Sequence, residues 1–171
     1  SSTETFVAMK LFVNTQRLQG VPFYLRAGKK MNRDMVDIKI VFKQTCHLLF
    51  KEAGCPEIGN VLTIRIQPDE GISFRVIAKK PDARFSLSTV DMDFSYHKAF
   101  GGHGSDAYER ILLDSMSGDQ MLFNRSDELE SSWQLISTIM EAWAKEEKIS
   151  DYNPESEGPQ EAIKLIENDG R

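Results

Sequence analysis

The feature that most constrains the fold is an alternation of apolar and polar residues that recurs along the first hundred positions. It is clearest in residues 61–67, where polar side chains separate Leu62, Ile64 and Ile66. Such alternation is typical of antiparallel strands that have one covered face. Alternating or extended segments predict strands at residues 5–13, 21–26, 35–43, 61–67, 72–78 and 85–94.

The apolar period becomes helical after residue 105. We predict helices over residues 106–116, from Ser126 onward with Ser126 as its cap, and from Pro159 to Gly170. The second helix has an apolar stripe at helical spacing, which we assign to the core. The residues of the stripe are Leu129, Trp133, Ile136, Met140 and Trp143.

The order of these elements predicts the fold class. Strands come first and helices later, without strand–helix alternation, which indicates an α+β fold. We expect a large, mostly antiparallel sheet with helices packed on one face. The length of 171 residues predicts a single domain over residues 1–171, with no separate second domain.

Charge and hydropathy exclude several classes of function. The formal net charge is −5, from 21 basic and 26 acidic residues, and no basic stripe is present. Nucleic-acid binding is therefore not expected, because its affinity comes mainly from neutralised phosphates. No apolar run approaches the roughly 20 residues that cross a bilayer, so we expect no membrane partner. Two cysteines, Cys46 and Cys55, fit reduced thiols in a cytoplasmic protein.

A cluster of cations is the most informative local feature. Residues 26–33 contain Arg26, Lys29, Lys30 and Arg33 and no acid. Because Lys and Arg both bind phosphate, this segment is a candidate anion site. The alternative is a solvated basic turn, and the residues alone leave both interpretations open.

The remaining polar positions give weaker indications. Arg65 and Gln67 lie on one face of the same predicted strand, where they could contact a ligand or simply face water. The histidines His47, His97 and His103 lack the spacing of metal ligands, so no metal site is expected. No catalytic residue can be assigned. The chain therefore has the character of a domain that contacts a ligand but lacks catalytic groups.

Five segments, in order, resemble the glucose-6-phosphate dehydrogenase family. They are residues 21–29 (VPFYLRAGK), 64–71 (IRIQPDEG), 92–96 (MDFSY), 106–110 (DAYER) and 118–128 (GDQ to RSDE). The resemblance covers only the C-terminal part of that enzyme, because the family's N-terminal coenzyme domain has no counterpart in this sequence. The resemblance implies that this chain alone is inactive. Its parent would oxidise glucose 6-phosphate to 6-phosphogluconolactone with NADP, in the pentose phosphate pathway.

The resemblance also implies roles for individual residues. Lys29 matches the family lysine that contacts the substrate, and Gln67 matches a glutamine on the substrate side. The family carries a second cation where this chain has Asp34. Arg33 lies one position earlier, so either the turn is remodelled and Arg33 makes that contact, or the contact is lost.

Some family members bind a second, structural NADP on this domain. The positions with compatible chemistry here are Arg26, Lys39, Arg65, Arg75 and Asp93. However, Met35 and Glu157 stand where those members carry basic residues. We therefore expect this structural site to be incomplete, since charge-assisted phosphate contacts would be lost.

The resemblance implies a homodimer formed through the sheet. The competing hypothesis is a stand-alone, non-catalytic binding or assembly module with the same fold. A plain oligomerisation domain is a third interpretation, and it depends only on the alternating strands. The size of the native polypeptide distinguishes the first two hypotheses.

Overall fold

The secondary structure comprises strands, a short helix, and then longer helices. The computed structural model describes residues 3–43, 59–81, 86–101, 107–145 and 149–170. The strands in these residues are β1 (Phe6–Phe12), β2 (Pro22–Gly28), β3 (Val36–Val41), β4 (Val61–Gln67), β5 (Gly71–Lys79) and β6 (Leu87–Ser95). The helices are α1 (Tyr96–Phe100), α2 (Ala107–Ser117), α3 (Ser126–Trp143) and α4 (Gln160–Glu167).

The strands form two antiparallel sheets. One pairs β1 with β2, and the other has the order β3-β4-β5-β6. The α+β class is therefore confirmed, whereas the strands that we expected in one large sheet are divided between two. Alternation predicts that a strand has two faces, but it does not identify the strand's neighbour.

The chain divides into two compact units. The first contains residues 1–33 and 105–171, and the second contains residues 34–104. The two-stranded sheet, α2, α3 and α4 belong to the first unit. The four-stranded sheet and α1 belong to the second. A single domain over residues 1–171 stays a prediction.

The short helix α1 was not expected from the sequence. Ser95 begins it, with its side-chain oxygen 3.4 Å from the backbone nitrogen of Lys98. Five residues are too few to display a helical period, so no element was predicted for residues 96–100. Aromatic contacts fix α1 against the end of β6, because the rings of Phe94 and Phe100 lie 6.5 Å apart.

Two expectations about α3 are wrong. Ser126 is the first helical residue and Arg125 is the N-cap, and the Arg125 guanidinium pairs with Asp127 at 2.9 Å. The apolar stripe is also not core, because Trp133 is 64% exposed and Met140 is 51% exposed. Helical spacing shows that one face is apolar, but it does not show what covers that face.

The four-stranded sheet has two chemically different faces. Register places the apolar residues of neighbouring strands opposite one another, for example Ile38 opposite Ile64 and Ile64 opposite Ile72. This surface, the apolar sheet face, is largely uncovered among the described residues. Its exposed members are Ile38, Ile40, Ile72, Val90, Met92 and Phe94. The opposite surface, the charged sheet face, carries Asp37, Lys39, Arg65, Arg75, Asp91 and Asp93.

Helix α4 packs on the two-stranded sheet of the first unit. It contacts β1, and its Ala162 is only 7% exposed. The predicted helix is present, but its limits differ: Pro159 is its N-cap rather than its first residue, and it ends at Glu167 with Asn168 as C-cap, before Gly170. Among the described residues, no helix is both long enough and apolar enough to span a membrane.

Candidate functional site

The cation cluster forms a turn directly after β2. We call residues 26–33 the basic turn. The hairpin places Phe6 opposite Gly28, and the Lys29 backbone N–H donates to the Thr5 carbonyl oxygen at 2.8 Å. Lys30 has a φ of 49°, so the chain bends through the left-handed region immediately after Lys29. The side chains of Lys29 and Lys30 are exposed.

A segment near the C-terminus runs along the basic turn. We call residues 152–157 the C-terminal clamp. The backbone N–H of Glu155 donates to the Lys30 carbonyl oxygen at 2.8 Å, and that of Asn32 donates to the Ser156 carbonyl oxygen at 3.1 Å. A parallel bridge between Met31 and Ser156 completes the pairing. The path of the basic turn is therefore fixed by backbone hydrogen bonds to residues far away in sequence.

Glu157 contributes an internal carboxylate to the same turn. It accepts hydrogen bonds from the Asn32 amide and from the Arg26 guanidinium, the latter at 3.2 Å. The Asn32 hydrogen bond, together with the charge of Arg26, lowers the pKa of the Glu157 carboxyl below its usual range. One of the four cations of the turn is therefore already paired within the chain.

Close packing around the Phe6 ring supports the basic turn. A Cβ atom built on Gly28 would lie 2.6 Å from the Phe6 ring, and one on Gly158 would lie 2.5 Å from it. Tyr152 contacts the same ring with its centroid 5.4 Å away. The two glycines therefore allow the end of β2 and the residue that follows the C-terminal clamp to approach Phe6 more closely than any residue with a side chain could.

A groove of about 510 Å³ borders the basic turn within the first unit. Lys29 and Lys30 line it together with two acids, Glu4 and Asp151, and with Tyr152. The lysines supply positive charge at an open surface. They are the groups of this mixed lining that can bind an anion.

The charged sheet face pairs its cations with acids on the same sheet. Arg65 Nη1 lies 2.9 Å from Asp93 Oδ1, and its Nη2 donates to the Phe94 carbonyl oxygen at 3.2 Å. Arg75 lies 2.9 Å from Asp91, the residue directly opposite it in the register. Lys39 lies 3.4 Å from Asp37. These side chains therefore connect the sheet internally, within and across its strands.

The predicted site residues fall in both units. Lys29, Arg33 and Arg26 belong to the basic turn of the first unit. The second unit carries the others, which are Lys39, Arg65, Gln67, Arg75 and Asp93. Gln67 is the exposed last residue of β4, and Asp93 joins Arg65 in an ion pair.

Sequence reasoning missed one residue of the site, Tyr152. Its hydroxyl donates to the Lys29 carbonyl oxygen at 2.8 Å, across 123 positions of sequence. A single tyrosine in a polar segment carries no periodic or compositional signal, so nothing in the sequence pointed to this contact.

The part of the chain that the structure describes contains no group of three or more histidine, cysteine, aspartate or glutamate side chains able to hold a metal ion. His97 lies on α1. His47, His103, Cys46 and Cys55 lie outside the described residues.

Comparisons with known proteins converge on one family. The family model described as glucose-6-phosphate dehydrogenase, C-terminal domain, matches residues 1–171. A glucose-6-phosphate 1-dehydrogenase of Borreliella burgdorferi is 45% identical over 169 residues, covering 99% of this chain. The corresponding enzyme of Rhizobium meliloti is 43% identical and covers all of this chain. The chain spans about 35% of the length of each relative.

Solved structures agree with the sequence relatives. A glucose-6-phosphate dehydrogenase in complex with its substrate glucose-6-phosphate superposes with a TM-score of 0.82 and 29% identity. The match covers 98% of this chain and 34% of the other. A glucose-6-phosphate 1-dehydrogenase from Mycobacterium avium gives a TM-score of 0.80. The chain therefore belongs to the glucose-6-phosphate dehydrogenase family and corresponds to its C-terminal domain.

Proposed function

We propose that this chain is the substrate-contacting and dimer-forming domain of an NADP-dependent, cytoplasmic glucose-6-phosphate dehydrogenase. The parent enzyme oxidises glucose 6-phosphate to 6-phosphogluconolactone in the pentose phosphate pathway, and this chain alone is inactive. The observation that carries the proposal is the basic turn, which presents Lys29 at an open groove in a chain of this family. A relative with the same fold binds glucose 6-phosphate.

Lys29 supplies the charge that the substrate requires. Its ammonium group is exposed beside the groove, where it can donate charge-assisted hydrogen bonds to a phosphate. Arg33 is also exposed on the basic turn and can serve as a second cation. Asp34, at the position where the family carries that cation, cannot bind phosphate.

Gln67 supplies a neutral contact. Its amide can both donate to and accept from sugar hydroxyls, and it ends β4 with an exposed side chain. NADP accepts the hydride in the parent reaction, and we assign its binding to the part of the enzyme that this chain does not include. The chain's own task is to bind and orient the sugar phosphate.

A second, structural NADP does not fit this chain. Its candidate cations Arg65, Arg75 and Lys39 are each paired with an aspartate of the same sheet. Arg26 is paired with Glu157. A phosphate would have to displace these carboxylates, and Glu157 would repel it. We infer that internal ion pairs take the place of such a ligand.

Substitution of Lys29 tests the substrate assignment. In the full-length polypeptide that contains this chain, Lys29→Ala should raise KM for glucose 6-phosphate about ten- to a hundredfold, the range of one hydrogen bond to a charged group. Lys164→Ala removes the same charge from an exposed position on α4 and should leave KM unchanged. Equal KM values for the Lys29 variant and the wild type would refute the assignment.

The four-stranded sheet supports a homodimer. The apolar sheet face exposes 51% of Met92 and 46% of Val90, and burial of such side chains favours association by roughly 25 cal/mol per Å². An uncovered apolar surface of this kind marks an interaction site. We propose that a second copy of the chain covers it.

Neighbouring residues of β6 provide a matched test of the dimer. Val90 lies on the apolar sheet face, whereas Thr89 lies on the opposite one. Val90→Lys should convert the full-length dimer into monomers in sedimentation analysis, and Thr89→Lys should leave the dimer intact. A Val90→Lys protein that remains dimeric at the same concentration would contradict the proposed interface.

A further inference from the structure

We propose that Tyr152 is a positioning residue for substrate binding, acting through Lys29. This inference rests on the proposed contact between Lys29 and glucose 6-phosphate and adds a residue to it. Tyr152 need not touch the substrate. Its hydroxyl fixes the backbone from which the Lys29 side chain extends.

The backbone N–H and the carbonyl oxygen of Lys29 are both hydrogen-bonded, to Thr5 and to Tyr152, and these two partners also lie within hydrogen-bond distance of each other. The Lys29 N–H donates to the Thr5 carbonyl oxygen at 2.8 Å, and the Tyr152 hydroxyl donates to the Lys29 carbonyl oxygen at 2.8 Å. The same hydroxyl oxygen lies 3.1 Å from the Thr5 carbonyl oxygen and 3.2 Å from the Thr5 hydroxyl oxygen. Lys29, Thr5 and Tyr152 therefore form one closed hydrogen-bonded group.

These hydrogen bonds fix the backbone of Lys29, the residue whose side chain we propose to contact the substrate. The lysine side chain is long and flexible, so its ammonium group is positioned accurately only if its Cα is held. The next residue, Lys30, turns through a φ of 49°, and Glu155 holds its carbonyl oxygen. Among the described residues of the C-terminal clamp, Tyr152 is the one whose side chain forms a hydrogen bond with the Lys29 backbone.

The tyrosine ring and hydroxyl have separable functions. The ring packs against Phe6 with centroids 5.4 Å apart, and phenylalanine would retain this contact. The hydroxyl alone reaches Lys29 and Thr5. Tyr152→Phe therefore removes the positioning hydrogen bonds while preserving the packing beneath the turn.

The test uses steady-state kinetics of the full-length polypeptide. Tyr152→Phe should raise KM for glucose 6-phosphate about three- to tenfold, the range of one ordinary hydrogen bond, and should leave kcat within about twofold. Tyr24→Phe is the matched control. Tyr24 lies on β2, the strand that leads into the basic turn, and its hydroxyl donates to the Asp169 carboxylate. The control should lose stability to a similar extent without a change in KM. A purely structural role would lower the stability of both variants and leave both KM values unchanged.

A double-mutant cycle separates failure of this inference from failure of the proposed function. If Lys29→Ala raises KM and Tyr152→Phe adds nothing in that background, Tyr152 acts through Lys29. If Lys29→Ala raises KM but Tyr152→Phe alone does not, the positioning role is overturned while the substrate assignment stands. If Lys29→Ala leaves KM unchanged, the proposed function and the inference both fail. Equal effects of Tyr152→Phe in both backgrounds would overturn the route through Lys29.

Discussion

Substitution of Gly158 by alanine should disrupt the packing beneath the basic turn. Gly158 has a φ of 97°, a conformation that residues with a Cβ rarely adopt, at a cost of about 1–3 kcal/mol. The added Cβ would lie 2.5 Å from Phe6 Cε2 and 2.8 Å from Cζ. Forcing these atoms apart should cost about 1–3 kcal/mol more, as in other overpacked sites. The lower entropy of the unfolded alanine chain returns about 0.4–1 kcal/mol. We therefore expect a net destabilisation of about 3 kcal/mol.

Urea unfolding followed by circular dichroism measures this loss. The control is Gly20→Ala, because Gly20 has a φ of 76° but no atom within 4 Å of an added Cβ, so only the backbone cost remains. In a Phe6→Ala background, Gly158→Ala should lose its steric part and match the control. If Gly158→Ala and Gly20→Ala destabilise equally in the wild-type background, close packing of Phe6 is refuted.

Two further predictions concern side-chain contacts of the site. The Asn32 hydrogen bond is the main cause of the lowered pKa of Glu157. The ionised carboxylate therefore stabilises the fold fully at pH values above the usual carboxyl pKa, and this stabilisation is lost as the pH falls through the lowered pKa. Glu157→Gln should therefore show a flatter acid limb in urea midpoints measured against pH, and an unchanged limb would contradict this role. Arg65→Lys should destabilise the chain by about 1 kcal/mol, because lysine cannot reproduce the guanidinium contacts to Asp93 and the adjacent backbone carbonyl. Equal urea midpoints for this variant and the wild type would refute the contribution.

Local patterns in the sequence predicted the strands well. The bounds of β4 were predicted without error, because its alternation is unbroken and a turn segment follows it. The predicted extents of β1, β3 and β5 agree within two residues at each end. Periodicity gives the position and faces of an element, because both depend on neighbours in the chain.

Long-range partners could not be predicted in the same way. The stripe containing Trp133 is apolar by periodicity, yet its exposure depends on what else is present. The division of the strands into two sheets is a choice of partners that no local pattern encodes. Similarly, the charge cluster indicated Lys29, whereas Tyr152 lies 123 positions away and carries no pattern of its own.

The resemblance supplied the residue roles that chemistry alone left open. The residues by themselves left both an anion site and a solvated turn open for residues 26–33, with the solvated turn the commoner case for a run of charges. The structure adds that Arg26 forms an ion pair with Glu157. The other three cations of the basic turn, Lys29, Lys30 and Arg33, are exposed, and none has a carboxylate within ion-pair distance among the described residues.

The size and activity of the native polypeptide test the central claim most directly. An antibody raised against this chain should capture a protein of about 55 kDa, since a chain of 19.4 kDa spans 35% of its relatives. The captured protein should reduce NADP only when glucose 6-phosphate is present. A captured protein of 19.4 kDa without this activity would contradict the account and would favour a stand-alone binding module.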